Sequence, residues 1–266
     1  MGGRNTSSGR TPPPAPMPPP MPVQPPAPKP KPRPKPKPAP TQLDLTKMSD
    51  AKLASFVDKA MRIRLPAGFH NDLTQRMILA AKWNEKPEVV PSSQVETDAK
   101  KRGAIVLYRT NRTNGYATGQ QYSDNFREGG QFSTGGAGGQ LYGGGLYFTS
   151  SLRGSKCYGD SNRVHPSNTI GAVLNKKARV VSMDDLEGTL GASWLRKHPA
   201  AAKAMGFTGG RTPKYSSVSY TSLAMAMGYN VVSNKCRGNE KYYTVLDRSA
   251  LTTSKKDYYF QSRGMK

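Results

Sequence analysis

The uneven distribution of proline divides the chain into two regions that cannot fold in the same way. Seventeen of the 23 prolines lie within residues 12–40, and lysine or arginine alternates with proline over residues 29–38. Residues 1–40 contain no acidic and no aromatic side chain, so this stretch lacks the apolar surface that would stabilise a core. We therefore predict that residues 1–45 form a disordered arm with polyproline II character.

Four roles are compatible with such an arm. It could be a ligand for a proline-binding module, an electrostatic tether to nucleic acid or another anionic surface, a spacer that reaches across a gap, or a solvated linker without a partner. The residues of the arm do not decide between them.

The whole chain is strongly basic. It has 40 Lys and Arg against 17 Asp and Glu, a formal net charge of +23 and an isoelectric point of about 10.1. Residues up to Met48 hold eight basic side chains and one acid, so most of the charge lies beyond the arm. Such a surface attracts polyanions without sequence preference. Because we find no nucleic-acid recognition motif, we do not expect specific base readout.

Several classes of protein are excluded by what the sequence lacks. It has no apolar run of ~18 residues and no apolar segment of the secretory type near the N-terminus, so we expect neither a membrane span nor a Sec signal. Cys157 and Cys236 do not form a CxxC pair, and they are either two free thiols or one disulfide. The three histidines are scattered, so we expect no metal site. A serine hydrolase elbow is also missing.

Residues 46–100 are predicted to be helical. Ser49 and Asp50 can cap a helix that ends before Pro66, and Asn71 and Asp72 can cap a second one. The apolar residues that follow each cap recur at helical spacing, which predicts packing surfaces.

Residues 101–266 read as an α+β domain. All 13 tyrosines lie at or beyond Tyr108. Runs rich in Val, Ile, Tyr and Phe predict strands, at 104–108, 145–148, 178–182, 230–232 and 242–246. Helices are predicted at 151–158, at 192–205 with Pro199 as an interruption, and at 220–227 before Gly228.

The segment 142–158, YGGGLYFTSSLRGSKCY, is the most informative one. Its glycines permit close backbone approach, and the rings of Tyr147 and Tyr158 could hold a flat, electron-poor ligand such as nicotinamide between them. Ser155 lies one helical turn before Tyr158 and could bond a carboxamide. The alternative is that these tyrosines fill the core and the glycines make a hairpin.

This segment resembles the second motif of the ADP-ribosyltransferase superfamily, especially its poly(ADP-ribose) polymerase-like branch, where a Gly-x-Gly-x-Tyr-Phe strand precedes Ser and Tyr. The resemblance implies a split mixed β-sheet and NAD as substrate. The residues that match in spacing are Gly143, Gly145, Tyr147, Phe148, Ser155 and Tyr158.

The stretch 107–112, LYRTNR, resembles the first motif of the same superfamily. Arg109 corresponds to the arginine version found in many bacterial and phage toxins. The resemblance implies that the Arg109 side chain fixes the NAD ribose and that the backbone of Thr110 meets the nicotinamide amide.

The third motif is a strand with a glutamate, and residues 239–247, NEKYYTVLD, resemble it. Glu240 is implied as the catalytic carboxylate, which stabilises the positive charge that develops as nicotinamide leaves. Counted from Asp247, Tyr242 stands where the family pattern has the glutamate. Either a short extension moves Glu240 into place or the domain has lost its carboxylate. Gly238 replaces the acid that helps to select acceptors in toxin-like members.

The resemblance predicts a mono-ADP-ribosyltransferase in residues 101–266 that transfers ADP-ribose to a protein or nucleic acid, as a toxin or phage-type effector. A looser resemblance over 216–232 and 242–251 to domains found with phage head and injection proteins implies a virion protein delivered into a host cytoplasm. Non-Sec secretion is the other route. Two rival functions are a catalytically inactive, basic virion or nucleic-acid-associated structural protein and an NAD glycohydrolase.

Overall fold

The part of the chain that can be described lies beyond the proline-rich arm. The chain divides after Ala39 into two units, and these residues all belong to the second. A computed structural model describes residues 42–67, 69, 72–83, 85–113, 115, 117–129, 144–155, 168–207, 217–235 and 240–255.

Helices and strands alternate irregularly along these residues. The helices are α1 Asp50–Met61, α2 Leu73–Ala80, α3 Ser92–Lys101, α4 Gly119–Glu128, α5 Leu152–Ser155, α6 Met183–Glu187, α7 Thr189–Lys197, α8 Pro199–Ala204 and α9 Ser217–Ala226. The strands are β1 Glu88–Val90, β2 Leu107–Thr110, β3 Leu146–Thr149, β4 Thr169–Leu174, β5 Val180–Ser182, β6 Val231–Lys235, β7 Lys241–Val245 and β8 Leu251–Ser254.

Of the predicted caps, Ser49 and Asp72 are confirmed, whereas the Asp50 carboxylate accepts from the backbone N of Ala200 and Ala201 at the start of α8. The Ser49 side chain accepts a hydrogen bond from the backbone N of Lys52 at the start of α1. Asp72 Oδ1 accepts one from the backbone N of Gln75 at 2.7 Å and so caps α2. Both carboxyl and hydroxyl caps satisfy a helix N–H that has no partner within the helix.

The strands form one mixed sheet, so the protein is of the α+β class. Their order is β1-β8-β4-β2-β3-β7-β6-β5. The two outermost pairs, β1 with β8 and β5 with β6, are parallel. The other neighbours are antiparallel.

The joint between β2 and β3, meaning the ladder that pairs these two strands, is the shortest in the sheet. It contains one residue pair, Tyr108 with Thr149, whereas every other pair of neighbouring strands has at least three residue pairs. The sheet is therefore nearly divided into a half with β1, β8, β4 and β2 and a half with β3, β7, β6 and β5. All eight strands nevertheless belong to one mixed sheet, because β2 and β3 keep this pair.

Two main hydrophobic clusters pack against the two halves of the sheet. One joins the helices α1, α2 and α6 to α9 to strands β5 and β6 through buried residues such as Val57, Leu223 and Val232. The other takes residues from both halves of the sheet, including Ile170 and Phe148, and Phe126 of α4. Residues 46–100 are part of this arrangement, since α1 and α2 share the first cluster and β1 extends the sheet.

None of the helices in the described ranges is long and apolar enough to cross a membrane.

A buried arginine ties α4 to the turn that follows β7. The Arg248 guanidinium donates to the backbone oxygens of Asn125 and Phe126, at 3.0 and 3.1 Å. These oxygens lie in the last turn of α4, where carbonyl groups lose their helical partners. Burial lowers the pKa of Arg248 to about 10, against an opposing effect of Asp247, so the side chain stays charged at neutral pH.

Replacing Arg248 by methionine should destabilise the protein by about 1–3 kcal/mol, because buried carbonyl groups would lose a charged donor. Urea unfolding followed by circular dichroism measures this change. The exposed Arg196 of α7 is the matched control, and Arg196→Met should change the free energy of unfolding by less than ~0.5 kcal/mol. Equal effects of the two substitutions would contradict the role given to Arg248.

Candidate functional site

One face of the central strands is lined by hydroxyl-bearing residues. Thr110 of β2 pairs with Thr169 of β4, and Tyr147 of β3 pairs with Thr244 of β7. Since Tyr108 is opposite Thr149, alternation along the strands places Thr110 and Tyr147 on the same face. We call this the polar face.

Three buried hydroxyl groups meet at the end of β2. Thr110 Oγ1 lies 3.0 Å from Ser155 Oγ and 3.1 Å from Thr169 Oγ1. The Ser155 hydroxyl also donates to the Leu152 carbonyl at 2.8 Å, which fixes its direction. This cluster therefore links the strand of the first motif to the helix α5 that follows the second motif.

Glu240 contacts the other end of α5. The Ser151 hydroxyl donates to Glu240 Oε1 and accepts from the backbone N of Gly154 at 2.9 Å. A side chain at position 154 would overlap this carboxylate, because the closest atom to an added Cβ is Glu240 Oε1. The carboxylate thus rests against the backbone of α5.

The helix α5 sets the spacing between these two groups. Ser151 and Ser155 are four residues apart, which corresponds to roughly 6 Å along a helix axis. Ser155 at one end of this helix is fully buried, whereas Ser151 and Glu240 at the other end are partly exposed.

Arg109 lies on the opposite face and spans the joint between the two halves of the sheet. Its partner on β4 is Ile170, a residue of the cluster shared by both halves. Its Nη1 donates to the Tyr147 carbonyl at 3.1 Å, and its Nε donates to Asn111 Oδ1 at 2.8 Å. The side chain is almost fully buried. It ties β2 to β3 directly beside the polar face.

The remaining residues of the second motif have divided roles. Phe148 is fully buried in the shared cluster, 6.0 Å from Phe126 between ring centroids, so its side chain faces away from Ser155. Gly145 has φ +152° and packs closely against the Thr244 side chain, which leaves no room for a Cβ. Tyr147 is on the polar face, with 6% of its surface exposed.

Tyr158, the second ring of the predicted nicotinamide sandwich, lies outside the described residues, as do Gly143, Cys157, Cys236 and Gly238. The predicted helix 151–158 is described only as far as α5 extends.

The surroundings of Glu240 carry exposed cations. Arg153 precedes Gly154 in α5, and Lys241 follows Glu240 directly. Lys241 stands opposite Lys235 in the β6–β7 ladder. Lys235 forms an ion pair with Asp184, with Nζ 3.9 Å from Oδ2. Strand alternation places Lys241 and Lys235 on the face opposite Tyr147 and Thr244.

Two residues of the site were not predicted from the sequence. Thr169 joins the hydroxyl cluster from β4, a strand that the sequence analysis missed. Gly154 makes room for the Glu240 carboxylate, although a single glycine in a short helix carries no signal for such a contact.

In the described part of the chain, no three His, Cys, Asp or Glu side chains lie close enough together to hold a metal ion. Comparisons of the chain with protein-family models, curated proteins and solved structures find no match.

Replacing Arg109 by lysine should destabilise the protein by about 1–3 kcal/mol, because a single ammonium cannot bond the Tyr147 carbonyl and Asn111 in their separate directions. Chemical denaturation gives the free energy of unfolding. Arg153→Lys, on an exposed residue, is the control and should leave it nearly unchanged. If Arg109→Lys is as stable as the control variant, the Arg109 hydrogen bond between β2 and β3 is dispensable.

Proposed function

We propose that the protein is a mono-ADP-ribosyltransferase that uses NAD as substrate and transfers ADP-ribose to a macromolecular acceptor. The observation that carries the proposal is the contact of α5 with Thr110 at one end and with Glu240 at the other. It supports the proposal because three segments distant in sequence, each resembling one motif of the superfamily, come from neighbouring strands β2, β3 and β7.

In the proposed complex the nicotinamide amide binds beside Thr110 and Ser155. The Ser155 hydroxyl donates its proton to the Leu152 carbonyl, so it can accept a hydrogen bond from the amide nitrogen. The Thr110 backbone can also bond the amide. The ring lies on the polar face near Tyr147, where stacking stabilises a flat aromatic ligand. The ribose then lies toward Glu240, about one helical turn along α5.

Glu240 acts on the ribose. When the bond between the ribose C1 and the nicotinamide nitrogen breaks, its electron pair neutralises the ring nitrogen and positive charge develops on the sugar. A fixed carboxylate stabilises that charge. Ser151 holds the carboxylate in place before the reaction, so little reorganisation is needed. An acceptor oxygen or nitrogen forms the new bond to C1 and releases its proton.

The position of Glu240 favours the active reading over loss of the carboxylate. Tyr242 pairs with Thr149 inside the ladder, whereas Glu240 comes just before β7. Although it stands two residues earlier than the family pattern, its side chain reaches Ser151. The short extension that the sequence left open is therefore sufficient to place a carboxylate next to α5.

The charge of the site also fits the substrate. NAD carries a pyrophosphate, and the exposed cation Arg153 precedes Gly154, against which the Glu240 carboxylate lies. Opposite charges at a cleft raise the local concentration of an anionic ligand.

Replacing Glu240 by glutamine should lower the rate of nicotinamide release by about 100-fold or more while NAD still binds, because the lost interaction acts mainly in the transition state. The full chain is incubated with labelled NAD, with and without a cell lysate, and free nicotinamide and label on macromolecules are followed. Calorimetry gives the Kd for NAD.

Label on protein or nucleic acid would identify transfer, and release with no retained label would identify the glycohydrolase instead. A wild-type chain that binds NAD without releasing nicotinamide, or a Glu240→Gln variant with the full rate, would contradict the proposal.

Replacing Gly154 by alanine should reduce nicotinamide release about as much as Glu240→Gln does, because the new methyl group displaces the Glu240 carboxylate. The carboxylate is the end of a flexible side chain, so we expect the thermal midpoint to stay close to that of the unaltered protein. Release assays and thermal unfolding are measured on both variants and on Gly154→Ala combined with Glu240→Gln.

Gly115→Ala is the matched control, since no atom lies within 4 Å of a Cβ at that position. If Gly154→Ala retains the full rate, the carboxylate does not act from the place where the structure puts it. We expect the double variant to release nicotinamide no more slowly than either single variant, because both changes remove the same interaction.

A further inference from the structure

Two short basic runs, far apart in sequence, lie side by side. The first comprises Lys100, Lys101 and Arg102 at the end of α3, and the second comprises Lys176 and Lys177 just after β4. The Arg102 guanidinium donates to the Leu174 carbonyl at 3.4 Å, directly before the second run. We call these five residues the basic ridge.

All five side chains are exposed. None of them forms an ion pair with a carboxylate anywhere in the described part of the protein. Neither run contains an acid. The nearest acids in sequence are Glu96 and Asp98 in the preceding turn of α3, and neither forms an ion pair with the ridge. The ridge therefore concentrates positive charge, which opposes folding through self-repulsion.

The composition of the ridge favours a nucleic-acid backbone over a protein surface as its partner. Protein–protein interfaces are depleted in lysine and enriched in aromatic residues, and the ridge has four lysines and no aromatic side chain. Phosphates of nucleic acid are bound by exposed Lys and Arg without further recognition, with release of counterions.

We propose that the basic ridge is a docking surface for the phosphate backbone of double-stranded DNA, used without base specificity. It lies on α3 and on the β4–β5 connection, whereas Thr110, Ser155 and Glu240 belong to β2, α5 and the start of β7. The ridge therefore binds independently of the proposed transfer reaction, and its test does not require catalytic activity.

Fluorescence anisotropy of a labelled 20-bp duplex, titrated with the full chain between 50 and 200 mM salt, tests the ridge. The ridge variant replaces Lys100, Lys101, Lys176 and Lys177 by glutamine and keeps Arg102 and its bond to Leu174. The control variant also removes four exposed cations and changes Lys52, Lys59, Arg62 and Lys203 of α1 and α8 to glutamine. The N-terminal arm is present in all three proteins, so its contribution to binding is the same in each.

The ridge variant should bind the duplex about tenfold more weakly or worse at the lowest salt concentration. The slope of log K against log salt should fall by ~0.9 for each cation that contacts a phosphate. The control variant should keep a slope close to that of the unaltered chain. Equal losses in both variants would show that only net charge matters and would overturn the proposal. Two other results would overturn the proposal. One is a ridge variant that binds the duplex as tightly as the unaltered chain does. The other is polyglutamate of equal charge that binds as tightly as DNA and loses as much affinity through the ridge substitutions.

Discussion

The single residue pair that joins β2 to β3 is the constraint on which the candidate site depends. In an antiparallel ladder the next equivalent pair after Tyr108 and Thr149 would join Thr110 to Tyr147, but the register of these two strands does not include it. The Tyr147 carbonyl is bonded by the Arg109 guanidinium instead. Because β2 and β3 are not paired at this point, the Thr110 hydroxyl contacts Ser155 of α5 and Thr169 of β4.

Two glycines allow carboxylates to pack against the backbone around the candidate site. Gly154 allows the Glu240 carboxylate to lie on α5, and Gly144 allows Asp72 of the N-terminal helical segment to lie against the start of β3. Asp72 also caps α2. The same carboxyl group therefore fixes a helix and contacts the glycine-rich turn, so residues 46–100 support the site although their sequence resembles no motif. Buried polar groups of this kind are stable only where they are hydrogen-bonded.

Local signals in the sequence predicted the elements that have strong caps or strong β propensity. The capping residues Ser49 and Asp72 predicted the starts of α1 and α2. The β-prone runs around Tyr147 and Tyr243 predicted β3 and β7. Strand β4 was missed because Gly171 interrupts its apolar run, and β8 was missed because Leu251 is followed by small hydroxyl residues that also suit turns. The motif resemblance placed Thr110, Ser155 and Glu240 among the site residues. It did not indicate that Arg109 and Phe148 face the shared cluster, since strand alternation becomes visible only once the register is known.

A structure of the protein with a non-cleavable NAD analogue, in which the ribose ring oxygen is replaced by a methylene group, tests whether NAD lies along α5. We expect the nicotinamide amide within hydrogen-bond distance of Ser155 and the Thr110 backbone, with the ribose hydroxyls next to the Glu240 carboxylate. Binding of the analogue at another place, or no binding at millimolar concentration, would contradict this expectation.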